Sequence, residues 1–207
     1  MEFSIIILSI TFLFFLVTNI PIALAIGLST ALSMIITIPI TPALTTIAQQ
    51  MATGINSFAL LAIPFFILSG YIMAQGGIAK RLINFAKVIV ASLPGGLAYV
   101  NIIACMFFGA ISGSAAAATS AVGGVMIPSM NKEGFDKNFN TALTVTASTT
   151  GLLIPPSNIL IIYSLASGGV SISALFIAGY IPGLLIGFSL IMVAGIMAKI
   201  YRYPSGN

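Results

Sequence analysis

The sequence predicts an all-α polytopic membrane protein, and three observations carry that prediction. The 207 residues are 59% hydrophobic and only 5% charged, with a mean hydropathy of +1.18, whereas soluble domains carry about 25% charged residues. Residues 3–19, 22–38, 57–74 and 171–198 contain no Asp, Glu, Lys or Arg and are about as long as a bilayer is thick. Two further apolar runs are interrupted by Gly, Ser and Pro at positions where a membrane helix would otherwise continue.

The elements follow in chain order. The first span, 3–19, ends at Thr18-Asn19-Ile20-Pro21, where the proline cannot continue a helix. Ala23-Leu24-Ala25 resembles a signal-peptide cleavage site, but the preceding stretch carries Glu2, lacks positive charge and is too long for an h-region; it is expected to be a retained helix. A second span, 22–38, closes at Pro39 and Pro42, and TPALTTIAQQMATGINS reads as an interfacial segment. The third span, 57–75, contains Pro64 as an expected kink. Lys80, Arg81 and Lys87 then fall on a helix too amphipathic to cross, expected to lie at the cytoplasmic surface.

Lys80, Arg81 and Lys87, Lys132 and Lys137, and Lys199 and Arg202 form three basic groups. By the positive-inside rule all three lie inside, which places the N-terminus outside. Segment 95–130 must therefore leave one face and return to it. Two full crossings need about 40 residues and a turn, so a re-entrant helical hairpin is expected, turning at Ser112–Thr119. TTGLLIPPSN, Thr149 to Asn158, interrupts the next run and predicts a broken helix with halves at 138–150 and 158–167. Ser167-Gly168-Gly169 is the outer turn, and 171–199 is the last span. Cys105, the single cysteine, is expected to be a buried small hydrophobe. Asn101 reads as a cap or packing group. Tyr71, Tyr163, Tyr180, Tyr201 and Tyr203 sit near span ends, as interfacial anchors would.

Unwound backbone within a bilayer costs several kcal/mol per unpaired group, so it persists only where buried in protein or lining a cavity. Half-helix ends at such breaks hold ions and anionic substrates in secondary transporters. A hard cation wants oxygen ligands, offered here by the hydroxyls of Ser112, Ser114, Thr119, Thr149, Thr150 and Ser157, the amide of Asn158, and the backbone around Gly113 and Gly151. Small-residue runs also serve close helix packing, and a Pro-Pro pair also serves as a simple kink. The absence of ionisable residues from every span argues against a proton relay within these residues, and the lack of His and of intramembrane carboxylates removes metal hydrolases and Ser-His proteases. No P-loop is present, and the net charge of +4 is distributed for membrane orientation, not nucleic-acid binding.

LLAIPFFILSGYIM (60–73), GGIAKRLINFAK (76–87), LPGGLAYVN (93–101), FGAISGSAAAATSAVGGVMIP (108–128), LLIPPSNILIIYSLASGG (152–169) and ALFIAGYIPGLLIG (174–187) together resemble the large membrane component of tripartite ATP-independent periplasmic (TRAP) transporters. The resemblance implies a Na⁺-coupled elevator permease in the bacterial inner membrane, built from inverted repeats and taking acidic solutes such as sialic acid or four-carbon dicarboxylates. It implies a small four-helix membrane subunit and a periplasmic substrate-binding protein as partners. Family members are about twice as long, so the chain reads as the N-terminal half and is expected to transport nothing without a second half. The implied organisation is scaffold-type helices and an arm helix at 1–93, a transport-type segment at 94–170, and a final helix at 171–207. Motif matching places Ser112, Gly113, Ser114, Thr149, Thr150 and Gly151 in the sodium site, and Ser114, Thr119, Pro156, Ser157 and Asn158 toward substrate. Rival readings are a sodium/dicarboxylate symporter that needs no binding protein, and a non-transporting scaffold or passive pore.

Overall fold

In the computed structural model, residues 2–205 are described, and they form α-helices joined by short turns. They fall into two compact units, Met1–Ser57 and Phe58–Asn207.

The first unit holds α1 (Glu2–Val17), α2 (Ile22–Thr37) and α3 (Ile40–Ile55). Asn19 takes the left-handed conformation (φ 60°) that reverses the chain between α1 and α2. Ala25, Ser29 and Ser33 form a buried row on α2. Their small side chains let α1 approach closely, and Ser33 Oγ donates to the Ser4 carbonyl at 2.9 Å. Pro39 caps α3 and Pro42 lies in its first turn, positions where a missing N–H removes no helix bond. Phe3, Ile5, Ile10, Leu13, Phe14 and Val17 of α1 are exposed, a surface that only lipid or another apolar partner covers favourably.

In the second unit a 3₁₀ turn (Phe58–Leu61) leads into α4 (Ala62–Gln75). Pro64 falls in the first turn of α4, so it starts a helix and produces no kink. The chain bends by 70° at Gly76-Gly77 into α5 (Ile78–Val90). The hairpin follows as α6 (Gly96–Ser112) and α7 (Ala115–Lys132). At 1.5 Å per residue these arms are about 26 Å long, short of the roughly 30 Å hydrocarbon core. The turn is tighter than the sequence suggests: only Gly113 and Ser114 are non-helical, and Ala115–Thr119 already belong to α7.

The broken helix is present as α8 (Lys137–Thr149), a 3₁₀ turn (Thr150–Leu152), an irregular stretch, and α9 (Asn158–Ala166). Gly168 and Gly169 turn the chain into α10 (Ile172–Tyr201), 30 residues long and, among the described residues, the one helix long and apolar enough to cross a membrane unaided. The core centres on α6, where Leu97, Val100, Ile102, Cys105 and Phe108 are buried against Val122, Met126 and Met130 of α7 and Leu143 and Ala147 of α8. Cys105 is buried as expected.

After α10 the chain turns back at Arg202 (φ 52°). Tyr203 is not an interfacial anchor: it is buried and stacks on Phe135 at 4.2 Å, while its hydroxyl oxygen accepts the Asp136 amide at 3.4 Å. The Gly95 amide donates to the Pro204 carbonyl at 3.1 Å. The base of the hairpin, the 133–136 loop and the end of α10 therefore share one end of the bundle, which brings together two of the three basic groups, whereas the start of α5 lies beside the hairpin tip, where Gln75 lines a cavity with Ser112 and Ser114.

Candidate functional site

The two interruptions meet. Gly113, at the hairpin tip, holds φ +62°, a conformation costing a side-chain-bearing residue about 1–2 kcal/mol. A methyl group built on it would stand 3.2 Å from both the Asn158 amide nitrogen and the Pro156 carbonyl oxygen. One turn earlier, a methyl on Gly109 would lie 2.7 Å from Gly151 Cα, so α6 and the 3₁₀ turn pack backbone to backbone. Glycine is required at this crossing because no side chain fits between the two strands of chain.

Four helix ends converge there. The carboxyl ends of α6 and α8 bring partly negative carbonyls, and the amino ends of α7 and α9 bring partly positive N–H groups. The α7 end is capped, Ser114 Oγ accepting the Ala117 amide at 3.3 Å. The α9 end has no side-chain cap, because Ser157 at the capping position instead donates its hydroxyl to the Leu152 carbonyl at 2.5 Å. Such an open amino end suits an anion.

Ser112 is buried and its hydroxyl bridges the tip, accepting the Ser114 amide at 3.4 Å. Thr150 is buried and donates to the Ala147 carbonyl at 2.6 Å. Asn158 is 8% exposed, and its Oδ1 has no hydrogen-bond partner. Gly113, Pro156, Ser157 and Asn158 are thus brought together with Ser112 and Ser114, while Gly151 joins through Gly109. Thr149 is exposed, its hydroxyl donating to the Thr146 carbonyl at 2.7 Å. Thr119 is half-buried further along α7; the cavity beside the tip meets α7 at Ala117, Ser120 and Ala121 instead.

That cavity, about 400 Å³, lies between the tip and α4, where Ile67, Gly70, Tyr71 and Gln75 form its other wall. A methyl on Gly70 would stand 3.1 Å from Ser112 Cβ. Sequence reasoning missed α4 here; Gly70 and Ala74, four apart on one helical face, were the available signal. A second omission is the buried polar chain beneath the tip. Asn101 Nδ2 donates to Thr144 Oγ1 at 2.7 Å, the Cys105 thiol to Asn101 Oδ1 at 3.6 Å, and Ser148 Oγ to the Thr144 carbonyl at 2.8 Å. It pins α6 to α8 directly below the crossing of Gly109 and Gly151.

A sodium ion fits this donor set. The groups at the tip are neutral oxygens, one of them the orphaned Asn158 Oδ1, and burying an amide oxygen without a partner costs about 1–3 kcal/mol. Among the described residues, no cluster of His, Cys, Asp or Glu offers a rival site for a transition metal.

The family model described as the DctM component of the tripartite ATP-independent periplasmic transporter matches residues 9–207. The chain is 51% identical over 202 residues to the uncharacterized protein YgiK of Salmonella typhimurium, covering 98% of this chain and 46% of that protein. It is 38% identical over 202 residues to the C4-dicarboxylate TRAP transporter large permease protein DctM of Rhodobacter capsulatus (91% and 46%). To the sialic acid TRAP transporter large permease protein SiaM of Vibrio cholerae it is 43% identical over 152 residues (73% and 35%). The chain thus spans about half the length of the curated relatives it matches, or less. The match runs through the hairpin, the break and the terminal helix alike, and the chain belongs to the DctM component family of tripartite ATP-independent periplasmic transporters.

Proposed function

We propose that this chain is the N-terminal half of the membrane permease of a sodium-coupled uptake system for acidic solutes in the bacterial inner membrane. The observation that carries the reading is the meeting of Gly113 with Pro156–Asn158, where a buried amide oxygen has no partner. Sodium supplies positive charge at that point. Gly113, Ser112, Ser114 and Asn158 hold it, with Thr150 and Gly151 supporting them from the packed turn beneath. The open amino end of α9 then faces an anion, and Ser114, Pro156 and Ser157 flank the route to it. Thr119 and Thr149 belong to the rims of these motifs. Each sodium charge entering with the membrane potential contributes about 2.3 kcal/mol per 100 mV, which drives uptake without a nucleotide.

The named relatives handle C4-dicarboxylate and sialic acid, and carboxylates of this kind are the proposed substrates here. Transport by an elevator movement needs the second half of the permease, a small four-helix membrane subunit and a periplasmic binding protein that delivers the solute. The N-terminus lies on the periplasmic side, as the positive-inside rule applied to the basic groups of the sequence places it. Binding is tested on the chain itself: sodium, against choline, raises its unfolding temperature in detergent, and Asn158→Leu abolishes the rise. Transport is tested by reconstitution with the complementary half, small subunit and binding protein, following uptake of labelled sialic acid and succinate under a sodium gradient. A sodium response that survives in Asn158→Leu refutes the site; uptake undiminished by replacing sodium refutes the coupling.

A further inference from the structure

The cavity of about 400 Å³ between α4 and the hairpin tip has the size of a small-molecule site, and its lining is polar without being charged. Ser112, Ser114, Ser120 and Tyr71 offer hydroxyls, Gln75 offers an amide, and no Asp, Glu, Lys or Arg lines it. Gln75 and Ser120 are exposed, one on each wall. Ser129, further along α7, donates its hydroxyl back to the Val125 carbonyl at 2.9 Å. Among the described residues, the Ser120 hydroxyl and the Gln75 amide have no such partner in the protein, so both are open to a ligand.

The cavity is continuous with the tip. Ser112 and Ser114 flank Gly113, against which the Asn158 amide packs, and the same two serines line the cavity. We propose that this cavity is the subsite for the uncharged, hydroxyl-bearing body of the solute, with Gln75 and Ser120 as its specificity-determining residues. The inference rests on the reading above, in which the tip holds sodium and the open amino end of α9 takes a carboxylate. A second carboxylate reaching into the cavity would lose its water and meet no cation, which burial penalises heavily. Hydroxyl groups both donate and accept, as the serine hydroxyls and the glutamine amide do, so their bonds to water are replaced in kind. The site therefore prefers a polyhydroxylated monocarboxylic acid to a dicarboxylate. Helix α4, through Gln75, takes part in choosing the solute.

Cys105, the single cysteine, is buried, so a cysteine introduced at the cavity reports alone. Ala121→Cys places a thiol on the α7 wall and Ala74→Cys one on the α4 wall; Asn138→Cys, exposed near the start of α8, is the control. Each variant is labelled in detergent with a small maleimide at constant sodium, while gluconate or succinate is added. One neutral hydrogen bond changes affinity about two- to tenfold. The concentration that halves the labelling rate at residues 121 and 74 is therefore expected to be at least about fivefold lower for gluconate than for succinate, with neither acid acting at residue 138. Gln75→Met with Ser120→Ala should bring the two concentrations together. Equal protection by both acids without those substitutions overturns the proposal, as does a preference for gluconate that survives them. No protection by either acid overturns it too, as does failure of both cavity thiols to react, which would mean that solute does not reach the cavity. The sodium-induced rise in unfolding temperature, read on the unaltered chain, separates the two readings. A rise without protection removes the subsite alone, whereas protection without a rise removes the sodium site and leaves the subsite standing.

Discussion

Gly109→Ala tests the packing on which the candidate site depends. Within α6 the substitution favours the helix by up to about 1 kcal/mol, because alanine gives up less backbone freedom than glycine. Against that, the new methyl would lie 2.7 Å from Gly151 Cα and 3.2 Å from Gly151 N, where ordinary contacts run from 3.4 to 4 Å. The atoms in the way are backbone, so no rotamer change relieves the overlap; the 3₁₀ turn at Thr150–Leu152 must retreat from α6. Forcing a methyl into a packed core costs about 1–3 kcal/mol, and a backbone obstacle puts this case at the upper end. The net loss should be about 2 kcal/mol, roughly a thirtyfold fall in the folded-to-unfolded ratio. Titration of the detergent-solubilised chain with sodium dodecyl sulfate, followed by circular dichroism, measures it. Gly124→Ala is the control, since nothing lies within 4 Å of a methyl built there; it should gain about 0.5–1 kcal/mol. If Gly109→Ala were as stable as Gly124→Ala, the close crossing of α6 and the 3₁₀ turn would be wrong.

Gly113→Ala should cost about 1–2 kcal/mol from its positive φ alone, and by crowding the Asn158 amide should also remove the sodium-induced rise in unfolding temperature. Asn101→Leu removes the bond to Thr144, but Thr144 Oγ1 still donates to the Asn140 carbonyl at 2.7 Å, leaving no orphaned hydroxyl. Hydrogen bonds between membrane helices average about 0.6 kcal/mol, so the loss should stay near 1 kcal/mol in the same titration; a loss above about 3 would show that the polar chain acts as one unit. Tyr203→Ala removes the stack on Phe135 and should release the strap formed by residues 202–205. Hydrogen exchange should then quicken at the Gly95 and Asp136 amides, whose acceptors the strap supplies, while amides in the middle of α6 stay protected.

The interruptions of helix were legible in the sequence because glycine and proline act on their own backbone. Halves expected at 138–150 and 158–167 appear as Lys137–Thr149 and Asn158–Ala166, and the turn expected at Ser167-Gly168-Gly169 is built on two positive-φ glycines. Pro64 shows the limit of that reasoning: a proline in a first turn and one in a helix interior look alike until the start of the helix is known. The tip was drawn too long for a related reason, since Ala115–Thr119 are small enough for either a turn or a helix, and the Ser114 cap decides the matter. What no local rule supplied was the set of neighbours. The participation of Gly70 depends on how α4 packs against the tip. The buried row Gly179, Gly183 and Gly187 of α10 reads in sequence as generic close packing.

That row explains why the break is stable. A methyl on Gly183 would strike Ile154 Cγ1 at 2.5 Å, and Gly179 faces the Leu153 carbonyl, so α10 lies directly against the irregular stretch between the 3₁₀ turn and α9. Shielding by α10 on one side and by α6 on the other keeps lipid away from backbone that a bilayer would penalise. The two unwound places are therefore not independent features that happen to coincide. Each supplies part of the protein surface that makes the other tolerable, and the spare oxygen valence left where they touch, at Asn158 Oδ1, is what a bound cation would satisfy.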